Sequence, residues 1–239
     1  MHNICFIPAR DSSTRLKKKN IAKFQKGNLV TNTIEQAIGS CIFDRIILSS
    51  NNDGILDIGR ELEIETHLRD DSQDQIIGVV QDSIPNLNVG DNDNLAIVLV
   101  TCPLRTSKDI YKAYRIFMDY DRGHPVVSVR KNMNPIQMSF KIDYGGHLEP
   151  VFSDEFNRST RKQDHYDTYY YNDAIIFDTV KNFMKPGRNL FGSFPIPYEM
   201  PWERSIAIDY DFQLKMARML AKEKEDEIQG NNTCDDYTI

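Results

Sequence analysis

The sequence predicts an α/β fold built on a doubly wound, mostly parallel sheet, and three features predict it. Short, continuously apolar runs recur, as at Ile4–Ile7 and Leu95–Val100, in the manner of strands covered on both faces. Between such runs lie segments with apolar residues at helical spacing, among them Ile34, Ala37, Ile38 and Cys41 at i, i+3, i+4 and i+7. The resulting β-α-β rhythm implies crossover helices joining parallel strands. It breaks only after Arg130, where Phe140–Tyr144, Gly145-Gly146 and His147–Phe152 read as a β-hairpin with glycines supplying the positive φ of a tight turn.

In chain order, Pro8 ends the first strand and Thr31 is placed to cap the first helix. Arg45–Ser49 reads as a strand, Asp53–Leu62 as a helix and Ile64–Leu68 as a short strand, followed by a helix carrying Ile76, Ile77, Val79 and Val80. Leu95–Val100 is the most apolar run and is expected at the sheet centre. Thr106 with Asp109 three residues later makes a capping-box start for a helix whose Ile110, Ala113, Tyr114 and Phe117 share one face. Pro125–Arg130 and Ala174–Phe177 read as strands, and Ser205–Asp209 as the last one. A final helix buries Phe212, Met216, Met219 and Leu220. Residues 1–224 are expected to form a single domain that includes an excursion at 132–171, and residues 225–239 a frayed polar tail.

Composition narrows the function. A formal net charge of −6 argues against a nucleic-acid-binding surface. Cys5, Cys41, Cys102 and Cys234 are scattered, with no C-x-x-C pair, and the histidines are dispersed; reduced thiols are expected and a zinc site is not. No apolar run approaches a membrane span and no charged-then-apolar leader opens the chain, giving the expectation of a cytoplasmic protein without a membrane partner.

Against this acidic background, residues 10–23 carry Arg10, Arg15, Lys17, Lys18, Lys19 and Lys23 with a single acid, Asp11. A solvated basic face is one reading. The other is an anion site, because ligands of open α/β sheets bind beyond the carboxyl ends of strands and this loop follows the first strand directly. The glycines of a Walker loop are missing, so phosphates would be held by side-chain charge, by the hydroxyls of Ser12, Ser13 and Thr14, and by loop amides.

The run I-P-A-R-x-x-S-T-R-L-x-x-K-N-I at Ile7–Ile21 resembles the CTP-binding signature of the cytidylyltransferases that activate acidic 2-keto sugars, the sialic acid and Kdo type. Three later stretches resemble the sialic acid branch in the same order: Thr101–Ile110, Thr160–Asp164 with Asn172–Ile175, and Met200–Asp209. The resemblance implies a Rossmann-like nucleotidyltransferase fold whose hairpin excursion is a dimerisation arm, CTP and an acidic 2-keto sugar as partners, Mg²⁺ as cofactor, and a homodimer. It implies Arg10, Lys19 and Asp209 as catalytic residues. Arg10, Ser13, Arg15, Lys19, Asn20, Arg69 and Gln75 would hold the nucleotide, and Arg105, Lys162, Gln163 and Asn172 the sugar. Asp209 and Asp211 would hold the metal.

Several of these residues have a plainer alternative. Arg105 either binds an anion or braces its turn, and Asp209 or Asp211 either ligates Mg²⁺ or caps the following helix. The chain also departs from the family pattern. Ala207 stands where the first acid of Asp-x-Asp is expected, Leu99 where a sugar-contacting glutamine is, Lys162 where an arginine is, and Asp173 where the glycine of N-G-A-I is. Thr14 stands where many sialic acid enzymes have lysine, although Thr14-Arg15-Leu16 matches the Kdo branch. These changes motivate a rival reading, a nucleotide- or sugar-binding protein with weakened catalysis on the same scaffold.

Overall fold

The opening apolar run is strand β1 (Asn3–Pro8) in the computed structural model, which describes residues 1–12, 15–70, 73 and 75–232. Alternate residues of β1 serve opposite cores. Cys5 and Ile7 pack with one set of helices and Ile4 and Phe6 with another, which is why the run has no polar face. A small hairpin of β2 (Lys23–Phe24) and β3 (Gly27–Asn28), too short to register as a pattern, then turns the chain into α1 (Leu29–Gly39). Asn28, not Thr31, is the cap: its Oδ1 accepts from the Thr31 amide at 2.9 Å. The hairpin delivers Asn28 in extended backbone, while Thr31 already lies in the first turn.

The alternation continues through β4 (Arg45–Ser50), α2 (Asp53–Glu61), β5 (Glu65–Leu68), α3 (Ile76–Ser83), β6 (Asn94–Val98), α4 (Ser107–Asp119) and β7 (Val126–Lys131). The excursion contains a separate two-stranded sheet of β8 (Phe140–Ile142) and β9 (Leu148–Pro150), then α5 (Ser153–Arg158). The hairpin turn has Gly146 at φ 83°, the left-handed conformation that glycine adopts without a Cβ penalty. The chain returns along β10 (Tyr169–Thr179), α6 (Val180–Phe183) and β11 (Ile196–Glu199) to α7 (Asp211–Asn232).

Seven strands form the central sheet in the order β11-β7-β10-β6-β1-β4-β5. Its neighbours pair in parallel except at β10, which runs antiparallel to both β6 and β7. Leu29, Ile55, Phe117, Leu214 and Ala217 of α1, α2, α4 and α7 cover one face, and Val79, Val80 and Phe183 of α3 and α6 the other. The doubly wound expectation holds. No helix among the described residues is long and apolar enough to cross a membrane.

Two further sequence expectations fail, one of them the burial of Phe212 and Met219, which are exposed on α7. Ser205–Asp209 is not a strand, because Pro201 and the 3₁₀ turn Trp202–Arg204 carry the chain off the sheet edge. A single backbone bond, Ile208 N to Thr101 O at 2.8 Å, holds the segment there. Of the tail expected at 225–239, residues 225–232 have helical backbone continuing α7, and residues 233–239 lie outside the described residues.

The capping box at Thr106 and Asp109 forms as expected and does more than start α4. Asp109 is buried and also accepts from Arg204 Nε at 3.0 Å and from the Tyr198 hydroxyl at 2.7 Å. Burial alone would raise its pKa, but the hydrogen bonds from Arg204, Tyr198 and Thr106 prevail and hold it at about 2, below the ordinary 3.8. The stability this contributes is complete above pH 3.8 and is lost as pH falls through 2. Asp109→Asn is expected to cost about 3 kcal/mol at neutral pH by leaving Arg204 without its carboxylate. It should also flatten the acid side of the stability profile, which denaturant melts between pH 2 and 7 would show.

Candidate active site

The basic loop begins where β1 ends, and its shape is set by Lys18, whose left-handed backbone (φ 53°) starts a 3₁₀ turn at Lys19–Ile21. That turn buries Asn20, whose Nδ2 donates to Arg10 O at 2.8 Å and so fastens the two ends of the loop together. Lys19 is turned inward, its side chain only 14% exposed, and its Nζ donates to Ile208 O at 2.9 Å and to Asp209 Oδ1 at 3.1 Å. Arg15 pairs with the same oxygen at 3.1 Å and lies over the Tyr210 ring. The amino-terminal cations and the carboxylate near residue 209 therefore meet across one crevice. Its volume is about 250 Å³, and Arg10, Ser12, Arg15, Lys19, Asn20 and Arg69 line it at the carboxyl ends of the parallel strands. Such a concentration of cations suits a polyphosphate.

A second carboxylate enters this crevice from an unexpected place. The pairing of β10 with β7 shifts register between Tyr171 and Ile176, and within that bulge Asp173 takes φ 53°. Asp173 lines the crevice and also a neighbouring cavity of about 290 Å³ that contains Ala207 and Asp209. Its carboxyl is pushed up by burial and by the charge of Asp209, against the pull of Lys19 and Arg15.

Comparison with known proteins identifies the family. A family model described as Cytidylyltransferase matches residues 4–229. The chain belongs to the cytidylyltransferase family. It is accordingly a nucleotidyltransferase that uses CTP. It is 29% identical over 230 residues to a pseudaminic acid cytidylyltransferase of Campylobacter jejuni, covering 93% of this chain and 97% of that one. It is 28% identical over 215 residues to an N-acylneuraminate cytidylyltransferase of Streptococcus agalactiae, covering 87% of this chain and 51% of the relative. A solved CMP:2-keto-3-deoxy-manno-octonic acid synthetase complexed with CTP shares the fold, with a TM-score of 0.70, 10% identity, and coverage of 94% of this chain and 100% of that one.

Within this cytidylyltransferase the residues singled out from sequence separate into groups. Arg10, Arg15, Lys19, Asn20 and Arg69 line one crevice, and Asp209 closes it through its bonds to Arg15 and Lys19. Ser13 lies outside the described residues. Gln75 is exposed at the cap position of α3, and Gln73, two residues earlier, faces the crevice in its place. Asp211 pairs with Lys215 at 2.8 Å on the exposed first turn of α7 and lines neither cavity.

Arg105 is the brace and not the anion ligand. It is fully buried and donates to the carbonyls of Leu99 at 2.9 Å and Ala174 at 3.0 Å and to Gln36 Oε1 at 2.8 Å. Arg105→Met is expected to lower stability by about 3 kcal/mol, since it strands those acceptors, while the KM for CTP of the folded protein stays unchanged. Urea midpoints and steady-state kinetics would separate the two effects. Asn172 is likewise buried, donating to Ser205 Oγ at 3.1 Å, and it fixes the bulge that presents Asp173. Lys162 and Gln163 line a third cavity of about 300 Å³ at the base of the excursion, with Lys162 donating to Asn134 Oδ1 at 2.5 Å, and neither lines the crevice of Arg10.

Proposed function

We propose that the chain transfers the cytidylyl group of CTP to an acidic 2-keto sugar of the nonulosonate kind, pseudaminic or sialic acid-like, giving a CMP-sugar and pyrophosphate. One observation carries this reading: Lys19 of the basic loop is bonded to Asp209 across a crevice lined by Arg10 and Arg15, bringing triphosphate-binding charge against a carboxylate. The names of the relatives supply the sugar class.

The anomeric hydroxyl oxygen forms the new bond to the α-phosphorus, the bridging oxygen leaves with pyrophosphate, and the hydroxyl proton is released. Arg10, Arg15 and Lys19 neutralise the phosphates, and Asn20 keeps Arg10's loop in place. The donor set also fits Mg²⁺: although Ala207 offers no oxygen, Asp173 and Asp209 are hard carboxylate ligands lining one cavity. When bound there the ion would lend its charge to the phosphate oxygens and the departing pyrophosphate.

The excursion at 132–171 supports a homodimer. Ile142, Tyr144 and Leu148 of the β8–β9 hairpin are exposed apolar residues, and Lys162 and Gln163 are held away from this chain's own nucleotide crevice. An arm docked on a second copy would cover the former and bring the latter to that copy's sugar.

Incubating the protein with CTP, Mg²⁺ and, in turn, pseudaminate, N-acetylneuraminate, legionaminate and Kdo tests the proposal. Pyrophosphate release that depends on one of these acids is the expected result. The rival reading of weakened catalysis draws on Ala207 and Leu99, and tight CTP binding without turnover would establish it instead.

A further inference from the structure

The buried and half-buried cations around the site are largely consumed by the protein itself. Arg105 is bonded to carbonyls, Arg204 to Asp109, and Arg15 and Lys19 to Asp209. Arg130, near the end of β7, is different. It is half-buried, and its guanidinium lies over the Tyr170 ring at 5.2 Å and the Trp202 ring at 5.3 Å from the centroids. Among the described residues it has no carboxylate or carbonyl partner. Ring contacts stabilise the charge but occupy none of the N–H donors, so the bonding capacity of the guanidinium remains directed at a ligand or water.

Trp202 adds a second unmet donor. Its indole Nε1 is buried with no acceptor among the described residues. Arg130, Tyr170 and Trp202 line the cavity of about 290 Å³ that also contains Asp173 and Asp209. Asp173 also lines the crevice of Arg10, whereas Arg130 does not, so the cavity is acidic toward that crevice and cationic at Arg130. Ile206, Phe212 and Met216 give it an apolar wall. A ligand suited to this space carries a carboxylate, hydroxyl groups and apolar substituents. Ala207, where an acid side chain would stand, leaves room for it.

We propose that Arg130, held against Tyr170 and Trp202, is the anchor for the carboxylate of the acidic sugar, which occupies the cavity between Arg130 and Asp209. The assignment rests on the cytidylyl-transfer reading and adds a specificity residue to it. A guanidinium offers two parallel N–H donors to a carboxylate, and the ring contacts fix its orientation before the sugar arrives. Because the carboxylate of a 2-keto acid is attached to the anomeric carbon, fixing one fixes the hydroxyl that attacks CTP.

Arg130→Met keeps an unbranched apolar chain toward the rings while removing charge and fork, and Arg130→Lys preserves charge without the fork. With the sugar acid that the wild-type protein turns over, R130M is expected to raise the KM for the acid about 100-fold and R130K about tenfold, with the KM for CTP within twofold of wild type in both. Trp202 is the sole tryptophan of the chain, so its emission reports occupancy directly. It should respond to the acid and not to the corresponding methyl ester. Normal turnover with an unchanged sugar KM in R130M, or in R130K should R130M fail to fold, overturns the anchor and leaves the transferase reading standing. If no acid releases pyrophosphate from the wild-type protein, the transferase reading falls, and the emission titration decides Arg130 alone. A response to N-acetylneuraminate that R130M or R130K weakens sustains the anchor; no response, or equal responses, overturn it.

Discussion

Changing Lys19 to methionine is expected to lower kcat/KM for CTP by about 10³-fold, the largest single loss available in this site. Lys19 combines two roles in the proposed site. Its ammonium lines the crevice proposed for the triphosphate, and it ties the loop to both the Ile208 carbonyl and Asp209. Removing one preorganised group that meets developing charge typically costs roughly 3–4 kcal/mol of transition-state stabilisation, a factor of about 10²–10³. Loosening of the loop around Arg10 adds to that. Methionine fills the same volume, and Arg15 still pairs with Asp209, so the fold should survive with a melting temperature within a few degrees of wild type. Pyrophosphate-release kinetics check the result; an unaltered kcat/KM would remove Lys19 from the phosphate site.

Asp209→Asn is the second. The carboxylate receives both Arg15 and Lys19 at Oδ1, and it stands with Asp173 in one cavity. The amide keeps the size and loses the charge, so it holds neither cation as strongly and is a poor ligand for a hard divalent ion. The expected outcome is a fall in kcat of about 10²-fold and a Mg²⁺ titration displaced upward by about tenfold. Asp211→Asn, on the exposed side of α7, is expected to change neither. A metal titration identical to wild type in Asp209→Asn would confine Asp209 to holding Arg15 and Lys19 in place.

What could be read from sequence followed the range of the interactions concerned. The apolar runs and helical stripes that make β1, β6 and α4 are local patterns, and the loop from Arg10 to Lys19 announces itself by charge against an acidic background. Arg105 illustrates the opposite case. Its two readings differ only in whether the carbonyls of Leu99 and Ala174 lie within reach, and Ala174 belongs to a strand 69 residues away. Asp173 was visible as an anomaly, an acid where the family pattern has glycine. Only the left-handed bulge of β10 explains why that position favours glycine and where an acid placed there points. Arg130 carried no motif, and Trp202 lay inside the Met200–Asp209 stretch without being singled out, since the significance of the pair lies in a ring contact between β7 and a turn some seventy positions later.

The sheet order carries a consequence for how the chain is made. Strands β4 and β6 find β1, and β5 finds β4, within the first hundred residues, but β6 and β7 are not neighbours and wait for β10 to slot between them. Roughly 80 residues separate the emergence of β6 from that of β10, which at ~5–20 residues per second of ribosomal synthesis leaves an open hydrogen-bonding edge for about 4–16 seconds. During that interval the nascent half-sheet is most exposed to mispairing. The crevice of Arg10, which Asp173 of the inserting strand lines, is completed only after the danger has passed.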